Sequence, residues 1–456
     1  MLPKPLRALW GDLSNEELKK FGILSTAIML ILGNYWMLRT TKNAVFDMFV
    51  GFREWQPIAK IFSLVAMIFI VLAYSKLVDL MKKQHLLYFF CILYGFSFFL
   101  VGHIIAHPGF GSLNTDSFLF PFVSWIPGKA IGWISYVLLE SYGSLVVAIF
   151  YSFVASVMTT ESAKKGYGMM AFIIQIGTIT GSFITMEYAQ VVGISKLYTF
   201  GSIIILLVPF IIMFYLKVIP TEKPTPKQLK KEKLKLKTGF FEGLKILITR
   251  PYVIGIFVVA TGYEAISTIL EYQMNWIATG IYLTPAKFAT FTAYQAIGIN
   301  TVALLFALIG TSFFMRRFGL KFCIMSFPIL IGFIVSGILL TRHFDISSYQ
   351  LMWLMLGSVV AIKGLNYAFN KPSMEVLYIP TSNDIKFKSK GWIDTFGSRS
   401  TKGIGAAVSN TFKHSLPNLL FYGSIISLGI VGVWTVTAAI TGNKFQKLND
   451  ENETID

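Results

Sequence analysis

Long apolar stretches that carry charge constrain this chain more than any other feature. Most of it falls in continuously apolar segments of about 20 residues, the length that crosses a bilayer as a helix. Yet Arg39 and Lys42 lie near the end of the first segment and Glu140 midway along the fourth. Glu264 and Glu271 lie in the seventh, and Asp394, Arg399 and Lys402 in the eleventh. A charge at the bilayer centre costs roughly 2.5–3.5 kcal/mol even on the most lenient insertion scale. So many of them imply a polar cavity facing inward, and hence a polar, charged cargo.

Composition agrees. Charged residues make up only 14% of the 456, against roughly 25% in a soluble domain. Mean hydropathy is +0.63. The segments do not alternate as β-barrel strands do, so the expected class is an all-α polytopic membrane protein. Net charge is +17, which in a soluble protein would suggest nucleic acid. Here the positive-inside rule accounts for it, and no nucleic-acid partner is implied. Cys91 and Cys323 both fall in apolar segments, which argues against a disulfide framework. The stretch from Leu13 to Lys20 is acidic as well as basic, unlike an import leader. Ser14 and Glu17 form a capping-box pattern that predicts a short interfacial helix.

A window of about 20 residues finds about twelve spans. They centre near 21–42, 57–79, 85–106, 130–157, 166–190 and 197–217, then 251–273, 290–314, 321–341, 349–369, 391–413 and 419–441. Alternate loops are basic: Lys4, Arg7, Lys19 and Lys20; Lys82 and Lys83; Lys164 and Lys165; Arg316, Arg317 and Lys321; Lys371, Lys386, Lys388 and Lys390; Lys444 and Lys447. The opposite loops carry scattered cations such as Arg53, Lys196, Lys287 and Arg342, without such clusters. The basic set is therefore cytoplasmic, with both termini inside.

Residues 217–237 hold eight lysines and two glutamates, with Pro224 and Pro226 at the front. The expected organisation is a six-helix half at 1–218, a basic linker at 219–249, a second six-helix half at 250–441 and a tail at 442–456. That is a major-facilitator-like layout. The linker is expected to touch anionic lipid. The halves also resemble each other: Lys165-Gly166-Tyr167 opens span five, and Lys390-Gly391-Trp392 opens span eleven. Gly177-x-x-x-Gly181 and Gly403-x-Gly405 then give each span a small, close-packing face.

Arg39 and Lys42 are three apart and share a helix face, as do Arg399 and Lys402. One basic pair from each half could clamp an anion, the guanidinium bidentately and the ammonium as a point charge. Alternatively Arg39 and Lys42 snorkel to the interface, and the second pair joins Asp394 in a structural ion pair. Glu264 and Glu271, seven apart, also share a face. With Glu140 they could neutralise an empty cavity, carry a coupling proton or simply pair between helices. No Walker-type glycine loop is present, and the five histidines show no metal-ligand spacing. The expectation is a non-enzyme with no cofactor and no metal, driven by a gradient or by exchange.

Four stretches resemble the nucleotide transporters, or ATP/ADP translocases, of plastids and obligate intracellular bacteria. They are Leu38-Arg39-Thr40-Thr41-Lys42-Asn43; Glu140-Ser141-Tyr142-Gly143-Ser144-Leu145-Val146 running on to Thr159–Lys164; Leu270-Glu271-Tyr272-Gln273; and Glu375 through Tyr378-Ile379-Pro380 and Lys390-Gly391 to Ser398–Gly403. The resemblance implies that Lys42, Glu140, Glu271 and Lys402 are needed for transport. The chain departs from the family pattern at Asn43, Ala155, Met274-Asn275 and Asn366. Asn366 stands where a lysine precedes the tenth-span tyrosine. Members exchange ATP for ADP, import other nucleotides with protons, or carry NAD.

The expected function is exchange of external ATP for internal ADP by alternating access, in a bacterial cell membrane rather than a plastid envelope. Substrate contacts are expected from Arg39, Lys42, Glu140, Glu271, Arg399 and Lys402, with Glu264, Asn366 and Asp394 as secondary candidates. A proton-coupled importer, an NAD carrier and a non-transporting scaffold are the rivals. Oligomeric state is left open, and a monomer is compatible with the reading.

Overall fold

The computed structural model describes residues 13–111, 126–158, 160–219, 240–309, 311–382, 385, 389–451 and 453–455. The lysine-rich part of the linker, 220–239, lies outside the described residues, as do Lys4, Arg7, Lys386 and Lys388 and the side chains of Lys164, Lys165 and Arg316.

The described chain is almost wholly helical. The helices are α1 (Asn15–Phe49), α2 (Phe52–Leu80), α3 (Lys83–Ala106), α4 (Ala130–Val157), α5 (Thr160–Val192) and α6 (Ile194–Val218). Then come α7 (Pro251–Ile281), α8 (Pro285–Ile309), α9 (Thr311–Leu340), α10 (Ser348–Leu365), α11 (Ser398–Phe412) and α12 (Leu416–Asp450). A short helix, Phe240–Thr249, precedes α7.

Eleven helices among the described residues are long and apolar enough to cross a membrane. The eleventh predicted span differs from expectation. It is helical but built in pieces: Lys390–Trp392, a π turn at Ile393–Gly397, then α11. Its continuous α-helix is only 15 residues and opens on the polar run Ser398-Arg399-Ser400-Thr401-Lys402, so it is not among the eleven. The tenth span likewise ends in a π turn, Asn366–Asn370. Such wide turns occur mostly as single insertions within α-helices, frequently at functional sites.

The Ser14 capping box is present: Ser14 Oγ accepts from the Glu17 backbone N–H, and Glu17 accepts from the Ser14 N–H. It opens the 35-residue α1, not a separate interfacial helix as expected. The apolar run continues without a breaker, so nothing ends a short helix there. Inside α9 the backbone leaves helical geometry at Gly319, where φ is +79°.

The chain divides into two compact units, Met1–Leu229 with Tyr282–Asn300, and Lys230–Ile281 with Thr301–Asp456. In the first, α1 is the central element and buries Phe21, Leu24, Ile28 and Ile31. Its Gly33 meets Gly177 and Gly181 of α5, the small face expected from the sequence. Polar residues of α8 tie into the same unit. Gln175 Nε2 donates to the Asn300 carbonyl at 2.7 Å, and Thr292 Oγ1 donates to the Thr40 carbonyl. In the second unit Trp434 is fully buried, edge-on to Phe327 with centroids 5.6 Å apart. Gly405 of α11 backs onto the Ala265 carbonyl of α7.

A Cβ at position 181 would fall 1.9 Å from the Gly33 carbonyl oxygen, a backbone atom that no rotamer change can move. Overpacking typically costs about 1–3 kcal/mol, and more where backbone must shift. Gly181→Val should therefore lower the unfolding temperature of detergent-purified protein and its yield. A variant that unfolds with wild type would rule out this α1–α5 contact.

Candidate functional site

In the first unit the fourth-span motif ties α4 to α1 and α3. Glu140 forms an ion pair with Lys42. Ser141 Oγ accepts from Tyr94 Oη at 2.8 Å. Tyr142 Oη donates to the Ile31 carbonyl of α1 at 2.9 Å, and Asn34 Nδ2 donates to the Gly201 carbonyl at 3.0 Å. Gly143 leaves room for the Tyr35 ring, which an added Cβ would meet at 2.3 Å. That ring in turn supports Arg39, whose guanidinium donates to Tyr35 Oη at 3.3 Å and lies 4.7 Å over the Trp36 ring. The Lys42 ammonium sits 4.3 Å over Tyr136. Arg39 is half-buried, and Lys60 of α2 adds positive potential at Glu140. The motif beyond Met158 runs into side chains outside the described residues.

In the second unit α7 presents two carboxylates, each facing a lysine from another helix. Glu264 Oε2 lies 3.5 Å from Lys402 Nζ of α11, and Glu264 Oε1 accepts from Ser398 Oγ at 2.7 Å. Glu271 Oε2 lies 2.7 Å from Lys363 Nζ of α10. Lys363 stands one turn before Asn366, whose Oδ1 accepts from Asn370 Nδ2 at 2.9 Å across the π turn. Arg399 is half-buried beside this cluster in sequence. Asp394 is exposed in the other π turn, where Lys390 and Lys371 supply its neighbouring positive charge. A further ion pair, Lys390–Glu375, closes the Tyr378-Ile379-Pro380 corner.

The three lysine–glutamate pairs differ in access. The Lys402 side chain is 40% exposed, against 11% for Lys42 and 8% for Lys363. Lys402 also makes the longest contact, so it is the ammonium most open to a passing anion. Lys363 was missed in sequence, although it lies well inside the predicted span 349–369 and incurs the same membrane cost as the residues singled out. Among the described residues no three His, Cys, Asp or Glu side chains converge as a metal site would need.

The profile of the family described as TLC ATP/ADP transporter matches residues 3–445. The chain belongs to that family. It is a multi-pass membrane protein and a transporter, not an enzyme. It is 22% identical over 486 residues to ADP,ATP carrier protein 1 of Rickettsia prowazekii, covering 98% of this chain and 97% of that one. It is 25% identical to the chloroplastic ADP,ATP carrier protein 2 of Arabidopsis thaliana, covering 96% and 76% respectively. Among solved structures it resembles a bacterial homologue of the iron transporter ferroportin in an inward-facing state, with a TM-score of 0.62 at 12% identity, covering 92% of this chain and 99% of that one. It also resembles the nucleoside transporter NupG, at 0.61 and 12%, covering 94% and 100%. These likenesses establish the major-facilitator-like fold.

Proposed function

We propose that the chain exchanges external ATP for internal ADP by alternating access. The observation that carries this reading is the pairing of three intramembrane glutamates, all singled out by their membrane cost, with lysines: Glu140 with Lys42, Glu264 with Lys402 and Glu271 with Lys363. Each pair leaves the cation satisfied when no cargo is bound. Nucleotide phosphates, like carboxylates, present anionic oxygens that accept charge-assisted hydrogen bonds, so they compete for the same ammonium groups. Lys402 and Arg399 in one unit, and Arg39 and Lys42 in the other, are the groups proposed to meet phosphate. The family match and the carrier relatives support nucleotides as the cargo class. The alternation of basic loops and the Rickettsia relatives support a bacterial cell membrane with both termini inside.

A carboxyl that ferries a coupling proton must lose its cation partner during the cycle, whereas an exchanger needs only to trade one anion for another. In cells preloaded with labelled ADP, efflux should require external nucleotide and should survive an uncoupler. Uptake that collapses with the proton gradient would replace exchange with proton symport.

A further inference from the structure

Away from these pairs, the start of α9 and the end of α12 enclose a cavity of about 890 Å³ within the second unit. Two backbone features make it. The positive-φ break at Gly319 turns the chain aside at the mouth, and Gly442 lets the Lys321 stem cross α12, with a built Cβ only 3.0 Å from Lys321 Cγ. The walls are apolar and open outward: Phe322, Ile329 and Phe333 are 50%, 41% and 74% exposed. One end is polar, lined by Lys321, Gln446 and Asp450.

The dimensions match half a bilayer. From Lys321 to Phe333 is twelve helical steps, about 18 Å at 1.5 Å per residue. Half of the hydrocarbon core is about 15 Å. The polar end belongs to the basic loop set assigned to the cytoplasm, so the groove faces the inner leaflet. Its charges are balanced, with one ammonium and one carboxylate. Neither Lys321 nor Asp450 forms an ion pair among the described residues, so neither is spent on a partner within the chain.

We propose that this groove binds a phospholipid whose headgroup carries a primary ammonium, of the phosphatidylethanolamine type. Its phosphate meets Lys321 and Gln446, its ammonium meets Asp450, and an acyl chain lies along Phe322, Ile329 and Phe333. A purely anionic headgroup satisfies Lys321 but sets its charge against Asp450, so charge complementarity selects the zwitterion.

The test is native mass spectrometry of the full-length protein, exchanged from mixed micelles holding equal phosphatidylethanolamine and phosphatidylglycerol. Wild type should retain one phosphatidylethanolamine at least fivefold over phosphatidylglycerol. Asp450→Lys should reverse that preference, and Lys321→Glu should lower retention of both lipids about tenfold. Ile329→Trp, which fills the apolar wall without touching charge, should lower retention of both while leaving the unfolding temperature near wild type. Equal retention of the two lipids by wild type would overturn the proposal. So would an unchanged preference in Asp450→Lys, or a dimer whose formation Ile329→Trp abolishes.

Discussion

Lys402→Gln should nearly abolish nucleotide uptake while the protein still reaches the membrane. Lys402 is the most open ammonium of the three pairs, and its contact with Glu264 is long at 3.5 Å. Glu264 keeps a second partner in Ser398, so losing the ammonium does not strand the carboxylate without a hydrogen bond. The structural cost of the substitution is therefore small, and under the proposed function its transport cost is the lost contact with phosphate. A hydrogen bond to a charged group is worth about 1.5–3 kcal/mol. That is roughly 10- to 150-fold in affinity or transport efficiency. Lys402→Arg keeps the charge but changes its shape, so it should retain part of the activity. Labelled ATP uptake, normalised to protein at the membrane, measures both variants. Transport by Lys402→Gln at the wild-type rate would remove the α11 phosphate contact from the mechanism.

How much of this was legible beforehand depended on the physics involved. Apolar length is additive along the chain, so α4 occupies 130–157 as predicted, and α3 and α6 lie within three residues of expectation. Helix faces were legible too, because spacing decides them: Gly177 and Gly181 share the face that meets Gly33. The π turns at Asn366–Asn370 and Ile393–Gly397 left no such trace. An extra residue in one turn changes no local composition, and only the packed helix shows it. Partners across helices were equally hidden. Spacing placed Glu264 and Glu271 on one face of α7 but could not say that α11 supplies one lysine and α10 the other. Asp394, five residues before Arg399, takes its neighbouring positive charge from Lys390 and Lys371 instead. Lys363 escaped for a different reason: it lies in no recognisable motif, and membrane cost was its only signal.

That lysine makes the Glu271 pair the second test with a large expected effect. Lys363 is almost fully enclosed, with 8% of its side chain exposed, and Glu271 lies 2.7 Å away. Removing one partner of a buried pair leaves an uncompensated charge, at a cost of about 3–5 kcal/mol. Glu271→Gln should therefore lower both the unfolding temperature and transport. Replacing both partners by uncharged residues of similar volume is often neutral for stability. The double variant Glu271→Gln with Lys363→Met should thus regain most of the unfolding temperature. It should not regain uptake, because the carboxylate that trades places with phosphate is gone. The two readouts separate the roles that a single substitution confuses. If the double variant transports as well as wild type, the pair holds α7 to α10 and takes no part in moving cargo. If it recovers stability alone, Glu271 and Lys363 act in the transport cycle as well as holding α7 to α10.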